Sequence, residues 1–129
     1  MVSRPEDLES ALRTITKERV NGLIIGRGPV LRTNLTRVRE FADKRLLPTM
    51  YDDKLFVERG GLMSYGTDIL DLYRRSATYV DKILKGRKPS DLPVERPMKS
   101  ELIINLIAAK QIRLTISPNV LARADRVIQ

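Results

Sequence analysis

Leu47-Pro48-Thr49-Met50-Tyr51, then Asp52-Asp53-Lys54-Leu55-Phe56-Val57, then Gly60-Gly61-Leu62-Met63-Ser64-Tyr65-Gly66-Thr67-Asp68, decides the fold. The first run reads as a strand, with its proline near the start, where it costs least. Asp52-Asp53 opens a short helical turn that Gly60-Gly61 breaks. Leu62 to Tyr65 reads as a strand ended by Gly66. From about Asp68 to Lys85 the spacing predicts a helix with Ile69, Leu70, Tyr73, Ala77, Val80, Ile83 and Leu84 on its face and Gly86 just past its end.

The pattern extends in both directions. Upstream, Ser3 caps a helix with Glu6 at the capping-box spacing and a face of Leu8, Ala11, Leu12 and Ile15. Asn21-Gly22 stops it. Leu23-Ile24-Ile25, bounded by glycines, reads as a buried strand. After Gly26-Arg27-Gly28-Pro29, Thr33 caps a helix with Leu35, Val38, Phe41 and Ala42 on its face. Downstream, Arg87 to Pro97 reads as an extended connector, Glu101 to Leu106 as a strand and Ala108 to Ile112 as a short helix. Leu114 to Ile116 is extended. Ser117-Pro118 opens a final helix running to about Ile128, with Val120, Leu121, Ala124, Val127 and Ile128 on its face. Strands alternating with helices predict an α/β fold with a mostly parallel sheet flanked by helices.

The 129 residues suit one domain, and their 42% hydrophobic and 31% charged content suits a globular chain. With no Cys there is no disulfide, thiol nucleophile or thiolate metal site. With no His the usual general base and commonest transition-metal ligand are gone. No catalytic residue, metal site or cofactor is therefore expected. The N-terminus moves straight into polar sequence, without the apolar run of a secretory signal, so the sequence as written predicts a chain that stays in the cytoplasm. No apolar run is long enough to span a membrane.

The net charge of +8 is spread over both halves, with one tight cluster at Lys85-Gly86-Arg87-Lys88. A nucleic-acid platform wants exposed aromatics beside a basic stripe, and aromatics make up only 5%. The bland reading, a solvated basic surface, is preferred.

In an open parallel sheet, ligands bind outside the carboxyl ends of the strands. Three places qualify. Gly26-Arg27-Gly28 fails as a dinucleotide loop, because Leu31 stands where a third glycine is needed and Pro29 removes a backbone N–H. It remains a strand-to-helix turn or a loop for another ligand. Tyr51-Asp52-Asp53 offers an aromatic face and carboxylates to a ligand ammonium, although either Asp also suits a helix cap. Ser64-Tyr65-Gly66-Thr67 leads into the long helix, whose free N–H groups could take a ligand carboxylate unless Thr67 or Asp68 caps it. The candidate ligand-binding residues are Gly26, Tyr51, Asp52, Ser64, Tyr65, Gly66 and Thr67. Tyr73 and Tyr79 read as packing residues.

Gly60-Gly61-Leu62-Met63-Ser64-Tyr65-Gly66 is followed by Leu72-Tyr73-Arg74-Arg75-Ser76-Ala77-Thr78-Tyr79-Val80-Asp81-Lys82-Ile83-Leu84-Lys85-Gly86. Then come Lys88-Pro89-Ser90-Asp91-Leu92-Pro93-Val94-Glu95, Glu101-Leu102-Ile103-Ile104-Asn105-Leu106 and Leu121-Ala122-Arg123-Ala124-Asp125. In this order the runs resemble the C-terminal half of the ABC-transporter substrate-binding proteins, a family that includes aromatic amino acid binders. The resemblance implies a periplasmic-binding-protein-like (type I) fold, as one lobe or a partial two-lobe arrangement, that traps a solute and passes it to an ABC permease without catalysis. It implies a second-lobe-like segment over 1–62, a strand and long helix returning to the first lobe over 63–90, and a crossing segment with a helical tail over 91–129, or one compact domain in isolation. It also implies a periplasmic or extracytoplasmic location. Arg27 stands where the family often has an acidic residue, Arg113 where it often has glycine and Ser117 where it often has proline.

The reading is thus the C-terminal part of a solute-binding protein for a small, amino-acid-like solute. Apolar surface left bare by a missing half would drive homo-oligomerisation. The alternative is a small basic α/β module that binds nucleic acid or another anionic partner.

Overall fold

The computed structural model describes residues 4–95 and 100–129. The Ser3 cap and the end of the connector, Arg96-Pro97, lie outside them. Helix α1 (Pro5–Lys17) begins with Pro5 in its first turn. Asp7, not Glu6, closes that turn, its carboxylate accepting the Arg4 N–H at 2.9 Å. The helix stops before Asn21-Gly22, as Arg19 turns the chain with φ 49°. Strand β1 (Leu23–Ile25) follows, then α2 (Pro29–Thr33) and α3 (Leu35–Lys44), with Asn34 rather than Thr33 heading α3. Next are β2 (Thr49–Tyr51), α4 (Lys54–Glu58), β3 (Met63–Thr67) and α5 (Ile69–Leu84). Gly66 continues β3 rather than ending it. Asp68 caps α5 by accepting the Leu70 N–H at 2.9 Å. Gly86, at φ 92°, ends α5 in the left-handed conformation glycine adopts freely, while the Arg87 N–H reaches back to the Lys82 carbonyl.

A single 3-10 turn (Pro89–Asp91) interrupts the connector. The chain then forms β4 (Ser100–Asn105), α6 (Leu106–Gln111), α7 (Pro118–Leu121) and β5 (Arg126–Ile128). The long C-terminal helix predicted to Ile128 is not there. After α7 a turn delivers Asp125 to β4, where it donates its N–H to the Leu102 carbonyl and its carboxylate accepts the Leu102 N–H. That clamp turns Val127 and Ile128 into a strand, a conformation that suits β-branched side chains.

The five strands form one sheet in the order β1-β2-β3-β4-β5. β1, β2 and β3 run parallel, β4 is antiparallel to β3, and β5 is parallel to β4. The mostly parallel α/β sheet with flanking helices is therefore as expected. Pairing of Tyr51 with Ser64 sets these two on one face, and Ile24, Met50, Met63 and Ile104 share the other.

Two apolar clusters flank the sheet. In one, Leu8 and Leu12 of α1 and Val38 of α3 pack with Ile25, Tyr51 and Phe56. In the other, Leu62 packs with Ala108, Ala109 and Ile112 on and just after α6. An ion pair from Arg37 to Glu9 ties α3 to α1. β1 is not the buried strand its apolar run predicted. It is an edge strand, and Ile24 is 87% exposed on the face that α1 does not cover. α5 departs further: none of its residues is buried. Among the described residues, no helix is long and apolar enough to cross a membrane.

Candidate functional site at the carboxyl ends of the parallel strands

Because β1, β2 and β3 are parallel neighbours, the loops that leave them lie side by side. They enclose a groove of about 820 Å³. Arg27, Gly28, Pro29 and Arg32 form one bank, Asp52 to Phe56 the base, and Thr67 to Leu70 with Tyr73 the other bank.

Charge pairs tie each bank to the base. Arg27 Nε lies 3.0 Å from Asp52 Oδ2, bridging the loops after β1 and β2. Lys54 Nζ lies 2.9 Å from Asp68 Oδ2, bridging the loops after β2 and β3, and 3.9 Å from Glu101 on β4. Its hydrogen bond to Asp68 raises the pKa of Lys54, and the same bond lowers that of Asp68. Asp53 caps α4, accepting the Leu55 N–H at 3.0 Å. The helix-cap reading of Asp53 and Asp68 therefore holds. It also fills the anion site expected at the start of α5, because the Asp68 carboxylate already occupies the N–H groups a ligand would use.

Of the seven candidate residues, Asp52 and Thr67 line the groove. Gly66 stands behind it. A Cβ at Gly66 would lie 2.1 Å from the Asp52 carbonyl oxygen, so β3 and the loop after β2 meet there backbone to backbone. The other four do not line the groove. Tyr51 is only 2% exposed and stacks on Phe56, with ring centroids 4.7 Å apart and planes 11° from parallel. It cannot offer its face to an ammonium, because its place in the strand turns it into the core. Burial raises its pKa, an effect that neighbouring Thr49 only partly offsets. Ser64 shares that face and is also buried. Tyr65 points to the opposite side and is exposed. A Cβ at Gly26 would meet nothing within 4 Å, so that position makes no close approach.

The apolar lining was not foreseen. Leu55 and Phe56 come from the first turn of α4, and Ile69, Leu70 and Tyr73 from the start of α5. Tyr73, read as packing, is 71% exposed on the bank. Leu70 and Tyr73 are three residues apart, which puts them on one helical face, but spacing alone does not say whether that face meets core or ligand.

Comparison with known proteins fits this geometry. A search of curated proteins finds no match. Among solved structures, the chain is similar to a conserved domain protein from Vibrio cholerae, with 30% identity and a TM-score of 0.85, covering 96% of this chain and 42% of that one. It is similar to an ABC domain in complex with L-Trp from Streptococcus pneumonia, at 26% identity and a TM-score of 0.84, covering 99% and 44%. It shares its fold with the ligand-free, open form of a substrate-binding protein with adhesive properties from Clostridium difficile, at 18% identity and a TM-score of 0.67, covering 99% and 42%. The chain thus spans less than half the length of these proteins, and its fold is periplasmic-binding-protein-like. The family model for ABC transporter substrate binding protein matches residues 1–128. The chain belongs to the family of ABC transporter substrate-binding proteins, which bind rather than transform their substrate.

Proposed function

We propose that this chain is the C-terminal part of a solute-binding protein of an ABC-type importer, and that it holds a small, amino-acid-like solute in the groove without catalysis. The observation that carries this reading is the meeting of three strand-end loops around one groove lined by both charged and apolar side chains, where open α/β sheets bind ligands. The L-Trp complex of a similar structure supports a solute of that size and character. The partner that receives the solute is then an ABC permease, and the setting is periplasmic or extracytoplasmic, as is typical of the family.

Residues 63–90 are read as a strand and helix that return toward a first lobe. Support comes from α5, whose apolar side is largely exposed among the described residues. Residues 1–62 then form the second-lobe-like segment and 91–129 the crossing segment. Apolar surface of this kind also supports self-association of the chain.

A thermal-shift screen with L-amino acids and small carboxylates tests the binding reading, since a ligand of the folded state raises the melting temperature. We expect at least one compound to raise it in a concentration-dependent way. No shift across the panel at millimolar concentrations would overturn the reading.

A further inference from the structure

The charged side chains around the groove each have a partner, with one exception. Asp53 and Asp68 cap helices, Lys54 holds Asp68, and Arg27 holds Asp52. Arg32 lines the same groove, and among the described residues its side chain has no ion pair or hydrogen bond.

We propose that the groove selects a solute with a carboxylate on an apolar body, that it does not require an amine, and that Arg27 sets this preference. The proposal rests on the solute-binding reading above. An amino acid's ammonium needs a free carboxylate. Asp52 is the one carboxylate of the lining that caps no helix, and the Arg27 guanidinium sits against its Oδ2 at 3.0 Å. Its other oxygen, Oδ1, is buried and has no hydrogen-bond partner. An ammonium at Asp52 must therefore share Oδ2 with, or displace, a guanidinium tethered in the adjacent loop, and it meets the repulsion of that cation. Guanidinium is the more weakly hydrated cation and the better carboxylate partner. A solute carboxylate meets no such competition. It can pair with Arg32 while its apolar body lies against Leu55, Phe56, Leu70 and Tyr73.

Calorimetric titration of the chain with three probes tests this. They are L-tryptophan, indole-3-propionate (the same body without the amine) and tryptamine (the same body without the carboxylate). We expect indole-3-propionate to bind at least as tightly as L-tryptophan, and tryptamine to show no binding. Arg32→Ala is expected to weaken indole-3-propionate by about tenfold, the loss of one charge-assisted contact. Arg27→Ala frees Asp52 and is expected to move the preference toward L-tryptophan by about tenfold, and Arg27→Lys, which leaves only an ammonium beside Asp52, moves it the same way by less. In the unaltered chain, L-tryptophan binding about tenfold more tightly than indole-3-propionate would overturn this proposal and leave solute binding standing. Silence from all three probes together with the whole thermal-shift panel would overturn both.

Discussion

Helix α1 sets Leu8 and Leu12 into the core at 2% and 8% exposure, whereas α5, which is longer, leaves Val80 at 55% and Leu84 at 81%. Both helices carry apolar residues at helical spacing. The difference lies in what faces them. α1 lies with α3 against β1 and β2, and its apolar side closes a cluster that includes Ile25 and Tyr51. α5 is held by its ends and its own surface. Asp68 caps it, Gly86 closes it, and Arg75 pairs with Asp71 at 3.0 Å and with Glu95 of the connector at 3.3 Å. The Tyr79 hydroxyl donates to the Pro93 carbonyl, laying the connector along the helix. In these two segments helical periodicity gives the helix and its apolar side, and leaves open whether that side is covered.

Truncating an apolar side chain in each helix is the most direct way to break this comparison. Leu8→Ala should destabilise the chain by about 2–5 kcal/mol, read from urea unfolding, because it opens a cavity in a packed cluster. A loss as small as that of a surface mutation would mean α1 is not anchored as described. Gly66→Ala probes the junction between the groove and the sheet. Its new methyl meets the Asp52 backbone, so a cost of about 1–3 kcal/mol is expected, with weakened solute binding in the same variant.

A smaller effect should follow pH. Asp68 has a lowered pKa, so its contribution is present above the ordinary carboxylate range and is lost as pH falls through its folded value. Lys54 has a raised pKa, so its contribution is present below the ordinary lysine range and is lost as pH rises through its folded value. Stability of the unaltered chain should therefore lean on this pair between those limits. Asp68→Asn should flatten the acid side of the profile, and an unchanged profile would show that the pair does not couple to folding. Least affected should be Leu84→Ala on α5, within about 0.5 kcal/mol, since the side chain it removes is already in solvent. A loss comparable to that of Leu8→Ala would show that α5 has a covering partner in solution.

Much of the fold was legible because local signals agreed with the final structure. Asp53 and Asp68 ahead of their helices, Gly86 behind α5, and the alternation of strands and helices each have a mechanism that acts within a few residues. The failures come from features set at a distance. Val120 to Ile128 satisfies a helical spacing, yet Asp125 finds β4 and the tail becomes a strand. Ile24 sits in an apolar run but belongs to an edge strand. At the site, strand-end geometry located the groove, and Asp52 and Thr67 with it. It missed that Tyr51 and Ser64 point into the core, because a one-residue change of face follows from strand register, which no short stretch of sequence specifies. Leu70 and Tyr73 were hidden in a helix whose apolar residues read equally well as core.

The contact between Gly66 and the Asp52 carbonyl has a bearing on how such a groove can change over time. Two of its walls are set apart by main chain meeting main chain, which no side-chain replacement adjusts except by prising them open. Its electrical character rests in good part on Arg27 and Arg32, exposed side chains that lie outside the packed core. Descendants of this chain should therefore diverge readily in the charge of what they hold, and only slowly in its breadth.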